Sequence, residues 1–200
     1  MGMVREPGLW SSAWQCDQHG EVIPYHACPK PSREALEAAS VRSHAPWWMP
    51  YPSLIGWTVS GFGHCGDDAR GTRASAVCFS GPNPLGGPVD LLLIAEEPGV
   101  GLGAHFAGLD GMDPGDVFGT PADAHIEADG HACPLWAVPC AEDRVAYVGE
   151  ALGLWLWVVT WPPAASVLLL DQLKCTDLRD NRPARESLVC GAPSPHMVSA

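Results

Sequence analysis

Twenty consecutive residues, Ala151 to Leu170, carry no charge. A stretch like this either crosses a membrane or lies inside a core. Crossing needs about 20 apolar residues in one continuous helix. Pro162 and Pro163 interrupt the run. The part that remains helical on this reading, Gly149 to Trp161, would be only about 20 Å long at ~1.5 Å per residue. That falls short of a hydrocarbon core of about 30 Å. The reading is therefore a buried helix, apolar almost all round, followed by a strand. Leu152, Trp155, Leu156 and Val159 form one stripe of this helix, and Leu154, Trp157, Val158 and Trp161 another.

Strand-like runs surround that element. Gly56–Phe62 and Thr72–Ser80 flank the turn-rich Gly66–Gly71, and Val89–Ala95 is a strong buried strand. Shorter candidates are 124–128, 135–138, 145–148, 167–170 and 173–178. Ser32 is a fitting N-cap for a short helix from Arg33, which Pro46 ends by His44. Strands outnumber helices and are not separated by helices of crossover length, which argues against a parallel βαβ sheet. The expectation is an α+β domain over 31–180, a mostly antiparallel sheet packed on one central Trp-rich helix. Residues 1–30 are expected as a small separate arm and 181–200 as a flexible tail.

Charge narrows the function classes. Eleven basic and 23 acidic residues give −12, against nucleic-acid backbones as partners. Arg179, Arg182 and Arg185 are interleaved with Asp177, Asp180 and Glu186 and read as a solvated tail. The N-terminus shows no signal-length apolar run, so a cytoplasmic location is expected, with no membrane contact. The eight cysteines are then expected as reduced thiols.

Some of those thiols are candidate zinc ligands. Cys16 and His19 form a Cys-x-x-His pair followed by Gly20, and both side chains can reach one Zn²⁺ from a tight turn. Structural zinc takes four ligands, and His26 and Cys28 are the nearest to complete the set. The spacing of that set, Cys-x2-His-x6-His-x-Cys, is unusual. His131 and Cys133 repeat the His-Ala-Cys-Pro tetrapeptide of 26–29 and are a further option.

The stretch Pro7-Gly8-Leu9-Trp10-Ser11-Ser12-Ala13-Trp14-Gln15-Cys16-Asp17-Gln18-His19-Gly20 resembles the start of a functionally uncharacterised family of actinobacterial proteins. The likeness continues through Trp48-Met49-Pro50, 81–88, 97–103, 149–157 and 176–180. It implies a zinc-ribbon-like N-terminal arm. In such relatives a Cys-Pro-x-Cys knuckle completes the ribbon, and this chain lacks it, as a late-called start or a genuine loss would explain. Only Cys16 and His19 match the ribbon pattern, and the resemblance brings no activity with it.

Other motifs have plainer readings. Gly99-Val100-Gly101-Leu102-Gly103-Ala104 fits G-x-G-x-x-A, but a dinucleotide site needs a helix to start there. The following His105–Gly111 does not read as a stable helix, and Glu96-Glu97 would repel phosphate. Asp110, Asp113 and Asp116 read as a solvated loop. The aromatic and proline segment Trp47-Trp48-Met49-Pro50-Tyr51-Pro52 is a core-covering loop or a binding platform. Two function classes stay open. One is a non-enzymatic protein-interaction or scaffold module, with or without zinc, contacting a partner through Trp47, Trp48, Tyr51 or the N-terminal arm. The other is a small hydrolase-like or metal-dependent enzyme built on Asp67, Asp68, Glu96, Glu97 and His105.

Overall fold

A computed structural model describes residues 4–6, 8, 14–17, 20–28, 30–41, 43–67, 71–170 and 173–197. Three two-residue strands, β1 (Val4–Arg5), β2 (Gln15–Cys16) and β3 (Gly20–Glu21), make a small antiparallel sheet. The main elements follow in chain order. They are β4 (Tyr25–Cys28), α1 (Arg33–Ser40), β5 (Trp48–Pro50), β6 (Thr58–Asp67), β7 (Gly71–Pro82), β8 (Pro88–Glu96) and α2 (Leu102–Ala107). Then come β9 (Ala124–Ala128), β10 (His131–Val138), β11 (Val145–Ala151), β12 (Leu154–Trp161), a 3-10 segment (Pro163–Leu169), β13 (Lys174–Asp177), α3 (Arg182–Glu186) and a last 3-10 turn, Pro195–Met197.

Strands β4 to β13 form one ten-stranded sheet in the order β4-β6-β7-β8-β12-β11-β10-β9-β13-β5. All its pairings are antiparallel except β13 against β9. The sheet curls until its far edge, β5, packs over β7 and β8. This encloses a core containing Trp47, Trp48, Phe79, Leu91, Leu93, Leu135, Leu156 and Val158. The outer face of the same strands is covered as well. Leu92, Ile94, Trp157 and Val159 meet Leu102 and Phe106 of α2, and Met197.

The expectation of an α+β domain, a sheet packed on a central Trp-rich helix, is overturned: the fold is mostly β, with only short helices beside the ten-stranded sheet. Gly149–Trp161 is not a helix: it contains the end of β11, a turn and all of β12. Leu152 (φ 55) and Gly153 (φ 78) make the tight turn, and Ala151 pairs with Leu154. Two positive φ values are what a two-residue hairpin turn of this hand requires. The run has no alternation because both faces of β12 are buried, Leu156 and Val158 inward, Trp157 and Val159 outward. A strand buried on both sides is as apolar as a buried helix, so periodicity cannot separate them. The β-branched and aromatic content of 155–161 and the glycine at 153 are the features that favour strand.

Other elements follow their local chemistry. Ser32 caps α1, its hydroxyl accepting from the Ala35 amide at 3.1 Å. β6 and β7 pair across the turn-rich 66–71, of which 68–70 lie outside the described residues. Asp129 (φ 46) and Gly130 (φ 80) turn β9 into β10, and Asp129 Oδ1 then accepts from Thr176 Oγ1 (2.8 Å) and Asp177 N (3.1 Å), pinning β13. Tyr25–Cys28, read from sequence as part of the arm, pair with β6. Residues 182–197, read as tail, bury Ala184, Leu188 and Met197. No helix among the described residues is long and apolar enough to cross a membrane.

Candidate functional site

Three of the four proposed zinc ligands lie among the described residues, on two strands. Cys16 is buried in β2, His26 and Cys28 share one face of β4, and His19 lies outside the described residues. His26 lies beside His64 of β6, with ring centroids 5.0 Å apart, and its Nε2 is 3.1 Å from the Gly66 carbonyl. Burial and the neighbouring His26 push the His64 pKa down. The Cys28 thiol donates to the Lys30 carbonyl. His131 and Cys133 sit on β10, six strands along the sheet from β4. Among the described residues no three His, Cys, Asp or Glu come together as a metal would require. Burial pushes the Cys65 and Cys78 thiols up to about 12, which keeps them protonated and poorly nucleophilic at neutral pH.

The acidic residues are also dispersed. Glu97 is ion-paired with Arg73 at 2.5 Å. His105 projects from the exposed side of α2, Asp67 ends β6, and Asp68 lies outside the described residues. Glu96 is fully buried at the end of β8. The glycine segment after it does open a helix, contrary to the sequence reading: Gly101 (φ 84) leads into α2, and Gly108 (φ 81) ends it. The helix has no Cβ at Gly103, where one would lie 2.3 Å from the Trp157 ring, so it can approach the sheet closely. Its first amides are taken by the protein's own carboxylate. Glu96 Oε2 accepts from Leu102 N (2.6 Å) and Gly103 N (3.1 Å). Burial raises the Glu96 pKa to about 7, and these two amides partly offset it. A carboxylate sealed under a helix holds that helix down and leaves its amides unavailable to a phosphate.

The opposite situation prevails around residues 51–57, between β5 and β6. A groove of about 500 Å³ is lined by Tyr51, Pro52, Leu54, Ile55 and Trp57 on one side and by Pro82, Asn83 and Pro84 on the other, with Leu168, Leu173 and Lys174 as floor and end. Several local devices shape it. Tyr51 N donates to the Lys174 carbonyl at 2.9 Å, which anchors the start of the segment to β13. The Trp57 ring lies flat on the backbone at Gly81, where any Cβ would be 2.4 Å from it. Gly86 and Gly87, both at positive φ, let β7 turn back into β8, with Asn83 Oδ1 accepting from Leu85 N at 3.0 Å. The turn thereby presents Pro84 beside the aromatic wall.

A second depression of about 280 Å³ lies across the same segment and shares Leu54, Ile55 and Trp57 with the first. Residues 51–57 are thus a ridge between two apolar hollows. Ile55 on its crest is 96% exposed, and Val189, which lines the second hollow, is exposed as well. Large apolar groups left in water this close together mark contact surfaces. The larger groove contains only two titratable side chains, Tyr51 and Lys174. Lys174 pairs with Glu127 at 2.9 Å. Among the described residues, the Tyr51 hydroxyl and the Trp57 indole N–H have no protein partner. Such a groove offers flat apolar rings with polar tips rather than an acid and a base poised for proton transfer.

Of the residues singled out in the sequence, Trp47 and Trp48 are buried in the inner core, whereas Tyr51 stands on the groove. Trp57, Pro82 and Pro84 were not singled out. Their signal was the recurrence of aromatic and proline residues in two segments more than twenty residues apart, which only the pairing of β6 with β7 brings together. No curated protein and no solved structure matches the chain. A family model does match, described as "Family of unknown function (DUF6758)", and it covers residues 1–197. By that coverage the chain belongs to this family of unknown function.

Proposed function

We propose that the chain is a protein-interaction module whose groove beside residues 51–57 receives an extended, proline-rich segment of a partner protein. One observation carries the reading. The half-exposed Tyr51 and Trp57 rings stand with free polar tips beside Pro52, Pro82 and Pro84 in a groove of about 500 Å³. A proline-rich segment adopts an extended helix without internal hydrogen bonds, so its carbonyls point outward and its rings present flat apolar faces. A groove of aromatic rings with N–H and O–H donors at the rim complements both features, and the segment's rigidity keeps the entropic cost of binding low. The chain's net charge of −12 favours a segment flanked by lysine or arginine.

The test is a titration with an oligoproline peptide flanked by lysines, followed by the indole N–H resonance of Trp57 and the amides of 51–57 and 82–85. Saturable shifts confined to these residues are expected. Trp57→Ala should weaken binding about tenfold, the loss of one well-packed aromatic contact. A peptide that fails to bind, or that shifts resonances elsewhere and is indifferent to Trp57→Ala, overturns the reading.

A further inference from the structure

The arginines in and around the C-terminal segment differ in how fully their donors are used. Arg33 Nη2 donates to the carbonyls of Glu186 (2.8 Å) and Leu188 (3.3 Å). Arg179 grips the buried Asp177 carboxylate at 2.7 Å through Nε and through Nη2, and its Nη1 donates to the Ser43 and His44 carbonyls. Arg182 pairs with Glu186 on the surface. Arg185 uses only Nη1, which donates to the Arg179 carbonyl at 2.9 Å. That bond occupies one nitrogen and leaves the Nε/Nη2 edge without a protein partner among the described residues. This edge presents two parallel N–H groups, the arrangement that binds a carboxylate in bidentate fashion.

Arg185 lines a cleft of about 480 Å³ together with Arg179, Glu37, Ser40, Val41 and Ser43. The charge of Arg179 is matched by Asp177, whereas Arg185 makes no ion-pair contact among the described residues. The α1 side offers acceptors. Ser40 Oγ donates to the Glu37 carbonyl and Ser43 Oγ to the Ala45 carbonyl, so both hydroxyl protons are committed and their lone pairs remain. The Glu37 carboxylate has no cationic partner among the described residues. Val41 is 80% exposed at the mouth. A bare dianion would meet Glu37 as well as Arg185, and a bare amine the reverse.

We propose that this cleft binds a small zwitterion of the amino-acid type, its carboxylate on the free edge of Arg185, its ammonium on Glu37 and the serine oxygens, and an apolar side chain on Val41. The proposal is independent of the groove at 51–57.

L-leucine is the probe, titrated by calorimetry and by NMR against the full chain, with 4-methylpentanoate (no amine), isoamylamine (no carboxylate) and inorganic phosphate as controls. Leucine is expected to bind and to shift residues of α1 and α3. Loss of either charge from the ligand should weaken it about tenfold or more, as the loss of a charged hydrogen-bond set does. Arg185→Lys keeps the charge and removes the fork, and should weaken leucine by a similar factor. Glu37→Gln lies on an exposed helix position and should weaken leucine while leaving 4-methylpentanoate unchanged or tighter. Absence of leucine binding at millimolar concentration overturns the proposal. So does phosphate binding tighter than leucine, or leucine binding that Arg185→Lys and Glu37→Gln both leave unaltered.

Discussion

Two places in this fold break the ordinary rule of burial, in opposite directions. At the end of β8 a carboxylate, Glu96, is taken out of water. Along 51–57 large apolar and aromatic groups are left in it. The first is closed: one carboxylate oxygen is met by two helix amides, and Trp157 fits over Gly103 without space for a methyl group. The second is open on both sides of a ridge. An ionisable group in the core attracts attention as a catalytic candidate, yet here the protein has used it to tie down its own helix. The groove, with little to titrate, retains the unspent contact area. Which groups remain available, rather than which are unusual, separates the two.

Filling the closed region should have the largest effect. Gly103→Leu drives a side chain into the Trp157 ring, and an unfolding titration in urea should show a loss of about 3 kcal/mol or more. Next is the pH dependence of stability. Because the Glu96 pKa is raised to about 7, the folded state holds a proton that the unfolded state releases near 4.5. The Glu96 contribution is therefore fully present below about pH 4.5 and is lost as pH rises through about 7, a swing of about 3 kcal/mol at most. His64, with its pKa pushed down, contributes in the opposite sense, losing stability as pH falls. The difference between the unfolding curves of wild type and Glu96→Gln isolates the carboxylate. If that difference is flat between pH 4.5 and 7, the closed region is wetter than the structure shows. On the open side, Lys174→Met removes an exposed ion pair with Glu127 and should change stability by about 0.5 kcal/mol, measured by thermal melting. Ile55→Glu should be the mildest of all in stability, within about 0.5 kcal/mol, because the side chain is already in water. The same change should abolish oligoproline binding. A strong loss of stability from Ile55→Glu would show that the ridge is a structural strap and erase the contrast between the regions.

The sequence showed the local elements well and their neighbours poorly. Ser32 marked the start of α1, which ends at Ser40 well before Pro46, and the turn residues at 66–71 pointed to the β6–β7 hairpin, because capping and turn chemistry act within a few residues. The segment 149–161 was misread because burial on both faces erases the alternation by which a strand is known. The stretch 105–111 does not read as a helix on propensity, yet α2 runs through Leu102–Ala107. In the fold, Glu96 and the close approach of Gly103 to Trp157 stabilise α2 through contacts that propensity does not contain. Tyr51 was legible only as a member of the aromatic and proline segment 47–52, of which it alone among the three aromatics lines the groove. Trp57 and Pro84 were not, since their proximity depends on the β-sheet register. Arg179 reads as solvated because nothing local reveals that the Ser43 and His44 carbonyls, more than 130 residues away, receive it.

The curling of the sheet sets an order of assembly. Among the described residues β5 pairs with β13 alone, and the Trp47 amide is held by Asp177, 130 residues further along the chain. At a synthesis rate of about 5–20 residues per second, roughly 10 s separate the emergence of these two strands from a ribosome. During that interval Trp47, Trp48 and Met49, destined for the innermost core, have no strand to pair beside. The nascent chain carries an apolar core segment early and its cover late, so chaperone occupancy on 47–49 should persist over this window and end when β13 arrives.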